Sequence, residues 1–141
     1  MNWFEANDHC KREGGKLVEI ETEEENTALV EEGKRRGLKN RNIWIGLTDM
    51  RSEGVWIFEA SGKNPSYKNW GFKEPGGGRK ENCAMWDGPF AWCDVPCDIN
   101  DTSLWSMADY KSFHALCEFR ESGELCEHFF FLYLLQPLRG T

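Results

Sequence analysis

Three carboxylates, Glu74, Glu81 and Asp94, fall in one stretch. It opens Glu74-Pro75-Gly76, passes Glu81-Asn82-Cys83 and ends Trp92-Cys93-Asp94-Val95-Pro96-Cys97. Acidic oxygens on an irregular loop stapled by cysteine are what a hard cation such as calcium needs. Glu74 and Glu81 would also suffice as the carboxylate pair of a glycosidase. Nothing else in the chain outlines a substrate cleft, however, and carboxylates on a glycine-rich loop are better explained by an ion, so the sequence predicts no enzyme. A soft-metal reading combines Cys93-x3-Cys97 with His114-x2-Cys117 as four zinc ligands, although structural cysteines produce the same spacings.

Composition narrows the field. A chain of 141 residues suits one domain with a core of its own, and seven Trp and nine Phe supply large apolar side chains for it. The net charge of -7 argues against a nucleic-acid partner, since phosphate binding needs a basic face. Six cysteines in so short a chain point to disulfides and an oxidising, extracellular setting. Counting alone does not give their pairing. The opening Met1-Asn2-Trp3-Phe4-Glu5 has neither the basic head nor the apolar core of a signal peptide. Given the cysteines, the expectation is that the natural N-terminus lies upstream.

The elements that must position the acidic stretch are legible in outline. Trp3, Ala6 and Cys10 share one face of an opening helix that Gly14-Gly15 stops. Leu17-Val18-Glu19-Ile20 reads as a short strand. Thr22 to Glu25 reads as a capping box starting a second helix, with an acidic first turn and basic Lys34, Arg35 and Arg36 at its end. Asn42 to Leu47 and Gly54 to Phe58 are β-branched and aromatic, two strands joined by a polar turn from Asp49 to Glu53. From Lys63 to Lys80 no period survives. Tyr67, Trp70 and Phe72 predict an ordered loop packed by its own aromatics, because disordered segments are aromatic-poor. Asn82 to Trp86, Phe90 to Asp94 and Ala115 to Phe119 complete the strands, and two early helices followed by short strands give an α+β domain.

The ordered series Trp3-x2-Ala6-x3-Cys10, Trp44-Ile45-Gly46-Leu47, Glu74-Pro75, Asn82-Cys83-Ala84, Trp92-x-Asp94-x2-Cys97 and Ala115-Leu116-Cys117-Glu118 resembles the C-type lectin-like domain over roughly residues 3 to 119. The resemblance implies a double-loop α+β fold with two helices, two small antiparallel sheets and a long calcium-binding loop. It also implies the disulfides Cys10–Cys117 and Cys83–Cys97. Calcium-dependent members hold the ion with a Glu-Pro-Asn or Gln-Pro-Asp triplet containing a cis proline, a downstream Glu and a Trp-Asn-Asp triplet, and vicinal sugar hydroxyls join the same ion.

Carried over by position, Glu74, Glu81 and Asp94 match ligands and Pro75 matches the cis proline. Gly76 and Cys93 stand where the family has asparagine. Three negative charges remain, two neutral ligands and both amide donors are gone, and a weak calcium site follows. The expected partner is a glycan or glycoprotein, with calcium as cofactor; the alternative is a protein ligand recognised without calcium. Trp70, in the long loop, is the tryptophan placed to stack on a sugar. Cys93 is left to pair with Cys126 or to stay a thiol.

The domain is expected to span residues 1–120, and 121–141 is expected to be a tail outside it. The stretch between Cys97 and Cys117 is longer than the family's, reads as a surface insertion, and contains the glycosylation pattern Asn100-Asp101-Thr102. The apolar run from Phe129 to Leu135 is far too short to span a bilayer.

Overall fold

The computed structural model describes residues 1–38, 41–87, 91–99, 113–120 and 130–135. The glycosylation pattern, most of the insertion and Cys126 therefore lie outside the described residues. Helix α1 spans Trp3–Arg12 and helix α2 Glu23–Arg35. The strands are β1 Lys16–Leu17, β2 Asn42–Thr48, β3 Ile57–Phe58, β4 Cys83–Asp87, β5 Ala91–Val95, β6 Phe113–Arg120 and β7 Phe130–Leu135. Two helices with short strands are the α+β arrangement expected. The strands make one connected mixed sheet instead of two separate ones, because β2 pairs antiparallel with β4 and parallel with β6.

Strand β2 is the pivot. Every residue from Asn42 to Thr48 is buried. Alternate side chains leave a strand on opposite faces, and here the two faces feed two cores. Trp44 packs with Trp3, Ala6, Cys10 and Leu17 on the α1 side, while Ile43, Ile45 and Leu47 pack with Leu29, Phe58, Trp86 and Trp92 on the other. A strand covered on both sides reads as a continuous apolar run, which is how the sequence presents it.

The capping chemistry is local. Asn2 accepts from the Glu5 N–H at 2.9 Å and Glu5 returns the bond at 3.0 Å, a full capping box on α1. On α2, Thr22 accepts from Glu25 N–H as expected. The Glu25 carboxylate reaches one residue further back than a capping box requires, accepting from Glu21 N–H at 3.0 Å. Helix α1 is pinned by its buried face, by the Trp3 indole donating to the Ile45 carbonyl at 3.0 Å, and by Trp3 N–H donating to Cys97 O at 3.0 Å. The Cys10–Cys117 disulfide ties it to β6, and Cys83–Cys97 joins β4 to the residues just beyond β5. Both pairings are those the resemblance implies. They also remove the zinc reading, since Cys97 and Cys117 are spent as disulfides.

Strand β6 lies between several partners. Beside β2 it pairs antiparallel with β1 and, from Ala115 to Arg120, with β7, so the apolar run of the C-terminal segment is a strand in register with β6. Gly15 has to be glycine where α1 hands over to β1: a Cβ there would lie 2.5 Å from the Glu118 carbonyl oxygen and 2.7 Å from the Phe119 ring. No helix among the described residues is long and apolar enough to cross a membrane.

One acid sits inside this framework. Glu118 on β6 is 4 % exposed and accepts from Glu19 N–H at 2.7 Å. Glu19, itself buried, pairs with Lys16 at 3.1 Å and accepts from Ser61 N–H at 3.2 Å. Burial first, and then the charges of Glu19 and Glu25, push the Glu118 carboxyl up to about 7 against the pull of the Glu19 N–H and Lys16. A carboxyl raised in the folded state keeps its proton where the unfolded chain has lost it, so its contribution is full below about pH 4.5, falls as pH rises and is gone by about pH 7. Between about pH 5 and 7 the native domain is expected to lose stability, and Glu118→Gln should flatten that slope in urea titrations. An unchanged slope in the variant would show that Glu118 does not carry it.

Candidate functional site

The long segment between β3 and β4 is built outward from β5. Trp92 N–H donates to Asn69 O at 2.9 Å and Gly71 N–H donates to Trp92 O at 2.8 Å, so residues 69–71 run along β5 as an added rung, with Trp70 and Trp92 in a parallel bridge. The Trp70 ring lies 4.8 Å from Trp56 and 5.9 Å from Trp92, and Tyr67 meets Trp92 edge-on at 5.9 Å. These edge-to-face contacts bury large rings in favourable geometry. The aromatics that predict an ordered loop are the ones that pack it.

From that rung the chain turns. Glu74 N–H donates to Gly71 O at 3.0 Å across a four-residue turn in which Lys73 has φ 62. The Glu74–Pro75 bond is cis. The two glycines that follow aim their N–H groups at Asp94 on β5: Gly76 donates to Oδ1 and Gly77 to Oδ2, each at 2.9 Å. A Cβ on Gly77 would run into the Glu81 carboxyl, so glycine there lets Glu81 close over the loop.

The structure therefore brings Glu74, Glu81 and Asp94 together, with the 4 % exposed Asp94 at the centre. Burial opposes the charge on Asp94. Hydrogen bonds from the Glu74 carboxyl and from the Gly76 and Gly77 N–H groups outweigh it and hold Asp94 ionised below the usual range. Glu74 carries the shared proton: its hydrogen bond to Asp94, its partial burial and the Asp94 charge push it up to about 7. Glu81 is raised by burial and then by Asp94. Like charges this close cannot all be free, and a proton binds them in the absence of a cation. Among the described residues, no group of three or more His, Cys, Asp or Glu side chains is arranged to hold a metal as it stands. The two N–H donors and the proton occupy Asp94 instead.

The donor chemistry nonetheless fits a hard cation, and it extends beyond the three acids. Asp49, 3 % exposed, accepts from Gly54 N–H through Oδ2, and its Oδ1 has no hydrogen-bond partner among the described residues. Asn82 Oδ1 is in the same condition, and Asp49 N–H donates to the Asn82 carbonyl at 3.1 Å. Glu53, on the same turn as Asp49, is raised by desolvation and by the charges of Asp49 and Asp94. Buried oxygens without partners are rare and call for a reason. The sequence presents Asp49 to Glu53 only as a polar turn, and nothing in its spacing says that β2 brings that turn against the loop.

The remaining assigned residues are placed plainly. Pro75 follows Glu74 at the turn. Trp70 is half-buried between Trp56 and Trp92. Cys93 alternates with Asp94 along β5 and packs against the core under α1, and it belongs to neither disulfide.

Comparisons with known proteins agree with this fold. Residues 1–105 match the family model described as Lectin C-type domain. Mouse tetranectin is 39% identical over 100 residues, covering 67% of this chain and 49% of its own length. Mouse CD209 antigen-like protein D is 37% identical over 99 residues, covering 69% of this chain and 40% of its own. The chain thus spans about half the length, or less, of these curated relatives. Among solved structures, the carbohydrate-recognition domain of the mouse scavenger receptor C-type lectin superposes with a TM-score of 0.62 at 29% identity, over 70% of this chain and 73% of that one. The cow CD23 domain, solved in the presence of a GlcNAc2Man3 oligosaccharide, gives 0.61 at 34% identity over 69% of this chain and 71% of that one.

Proposed function

The chain belongs to the C-type lectin domain family, and on that premise we propose that it is a carbohydrate-binding module that meets its glycan or glycoprotein ligand at Glu74, Glu81 and Asp94 through a weakly held calcium ion. The convergence of the Glu74 and Glu81 carboxyl groups on Asp94 carries this reading. Glu74, Glu81 and Asp94 would hold the ion, and the unpartnered oxygens of Asp49 and Asn82 lie on the adjoining turn and strand entry. Calcium tolerates water in its shell, so a set short of two amides still binds, more weakly. The ion, when bound, supplies a Lewis-acidic centre for vicinal hydroxyls. The protein supplies the acceptors those hydroxyls donate to.

Gly76 and Cys93 bring no side-chain amide. Each hydrogen bond lost beside a charge costs about 1–3 kcal/mol, so discrimination among monosaccharides at this centre is expected to be slight. The family is one of binding modules, and no catalytic step is assigned. The disulfides support an extracellular setting. The module is proposed to occupy residues 1–120, with the 121–141 segment appended to it.

Calorimetric titration with calcium tests the ion site. A dissociation constant on the order of 10⁻⁴ to 10⁻³ M is expected at pH 8, as for weak extracellular modules. The affinity should fall as pH drops through about 7, because the Glu74 proton then competes with the ion. No binding heat at millimolar calcium and pH 8 would remove the ion from the account.

A further inference from the structure

An aromatic ring two residues from Glu74 is also the most exposed large apolar side chain among the described residues. Phe72 is 90% exposed, against 36–52% for Phe4, Met50 and Val55. A phenylalanine in water forfeits the burial that usually places it, and isolated exposure alone would mean little. The position of Phe72 is what sets it apart.

Phe72 is fixed from both sides. On its N-terminal side, Gly71 and Asn69 are hydrogen-bonded to Trp92 of β5, and Trp70 is wedged between two tryptophan rings. On its C-terminal side, Glu74 N–H closes the turn onto Gly71 O, and Glu74 then enters the carboxyl cluster. Phe72 and Lys73 are the two central residues of that turn. Lys73 holds φ 62, a left-handed conformation costing a side-chain-bearing residue roughly 1 kcal/mol or more. Strain of this kind persists only where the surroundings impose it, and here the rung and the cluster do so. The Lys73 ammonium lies 5.5 Å from the Phe72 ring centroid, a weak cation–π contact that leaves the ring accessible.

We propose that Phe72 is a specificity-determining platform that stacks on the C–H face of the sugar unit adjoining the one at Glu74, so that the domain selects oligosaccharides over their constituent monosaccharides. This rests on the carbohydrate-binding reading above. A flat apolar ring with the electron-rich face of an aromatic suits the C–H face of a pyranose, and its rigid mounting lowers the entropic cost of stacking. Trp70, two residues earlier, has its ring against Trp56 and Trp92. Phe72 offers the open face. The contact needs neither the ion nor the absent amides, so it supplies selectivity where Gly76 and Cys93 cannot.

The test compares the whole chain with Phe72→Ala and Phe72→Trp on an array of mono- to pentasaccharides at saturating calcium. Phe72→Ala should weaken oligosaccharide binding about five- to tenfold, the range of one aromatic contact, and change monosaccharide binding less than about twofold. Phe72→Trp should retain the wild-type preference. The residue is exposed, so both variants should fold. If the wild type binds oligosaccharides and Phe72→Ala binds them equally well, the platform is refuted while the carbohydrate reading stands. Equal losses on mono- and oligosaccharides would refute the adjoining-unit assignment. A wild type that binds no saccharide at all would overturn this inference together with the reading it rests on.

Discussion

Replacing Cys10 and Cys117 together by alanine is expected to lower the unfolding free energy by about 4–5 kcal/mol. The two residues are 107 positions apart, so their bond closes nearly the whole described domain into one loop. A constraint of that length removes the most entropy from the unfolded chain. The shorter Cys83–Cys97 link, separated by 14 positions, should contribute about 3 kcal/mol on the same argument. A domain of this size has a total of only about 5–15 kcal/mol, so the double variant should sit at the edge of folding at physiological temperature. The packing of Trp3 and Ala6 and the indole bond to Ile45 remain in the variant, and helix α1 should fray without leaving the sheet. Urea unfolding checks the size of the effect. A loss below about 1 kcal/mol would mean that burial alone docks α1.

Asp94→Asn should have the largest effect on the site. Asp94 is where the loop meets the sheet: one carboxylate takes two glycine N–H groups on its two oxygens and shares a proton with Glu74. Asparagine keeps the shape, but its side chain has one oxygen and a donating nitrogen. One of the two N–H groups would then face another donor, and the cluster would lose its most strongly ionised member. Calcium affinity should fall at least about a hundredfold, the cost of a charged ligand at a site that relies on carboxylates. The amides of Gly76 and Gly77 should exchange with deuterium much faster than in the wild type. Unchanged exchange at both glycines would contradict the assignment of Asp94 as the clasp of the loop.

Much of this was legible before any fold was known, and the exceptions have physical causes. The helix face of Trp3, Ala6 and Cys10 and the apolar run of β2 follow from periodicity, which is local. The two disulfides follow from the ordered family resemblance, not from counting cysteines. Strand β1 is shorter than the apolar run suggests. Val18 leaves the regular ladder to bridge two strands, donating to Leu116 O while accepting from Gly46 N–H. Gly46 permits this, since a Cβ there would lie 3.0 Å from the Leu17 carbonyl oxygen. The joining of the strands into one sheet depends on the parallel β2–β6 contact between residues far apart in the chain, and no local pattern encodes it.

At the site, the acidic residues were legible and their surroundings were not. Gly76 reads from the sequence as a missing amide. In the fold its backbone N–H, with that of Gly77, becomes a donor to Asp94, a role any residue type could hide. Asp49 reads as a turn former because its neighbours are polar, and only the pairing of β2 with β4 sets it beside Asn82. Phe72 reads as one more aromatic packing its own loop, and the fold leaves its ring in water.

Glycan-array binding of the whole chain, with calcium and then with chelator, tests the central claim most directly. The account predicts saccharide binding that disappears in chelator and is lost in Asp94→Asn. Binding that persists unchanged in chelator would contradict it, and would point to protein or glycan recognition on this fold without an ion.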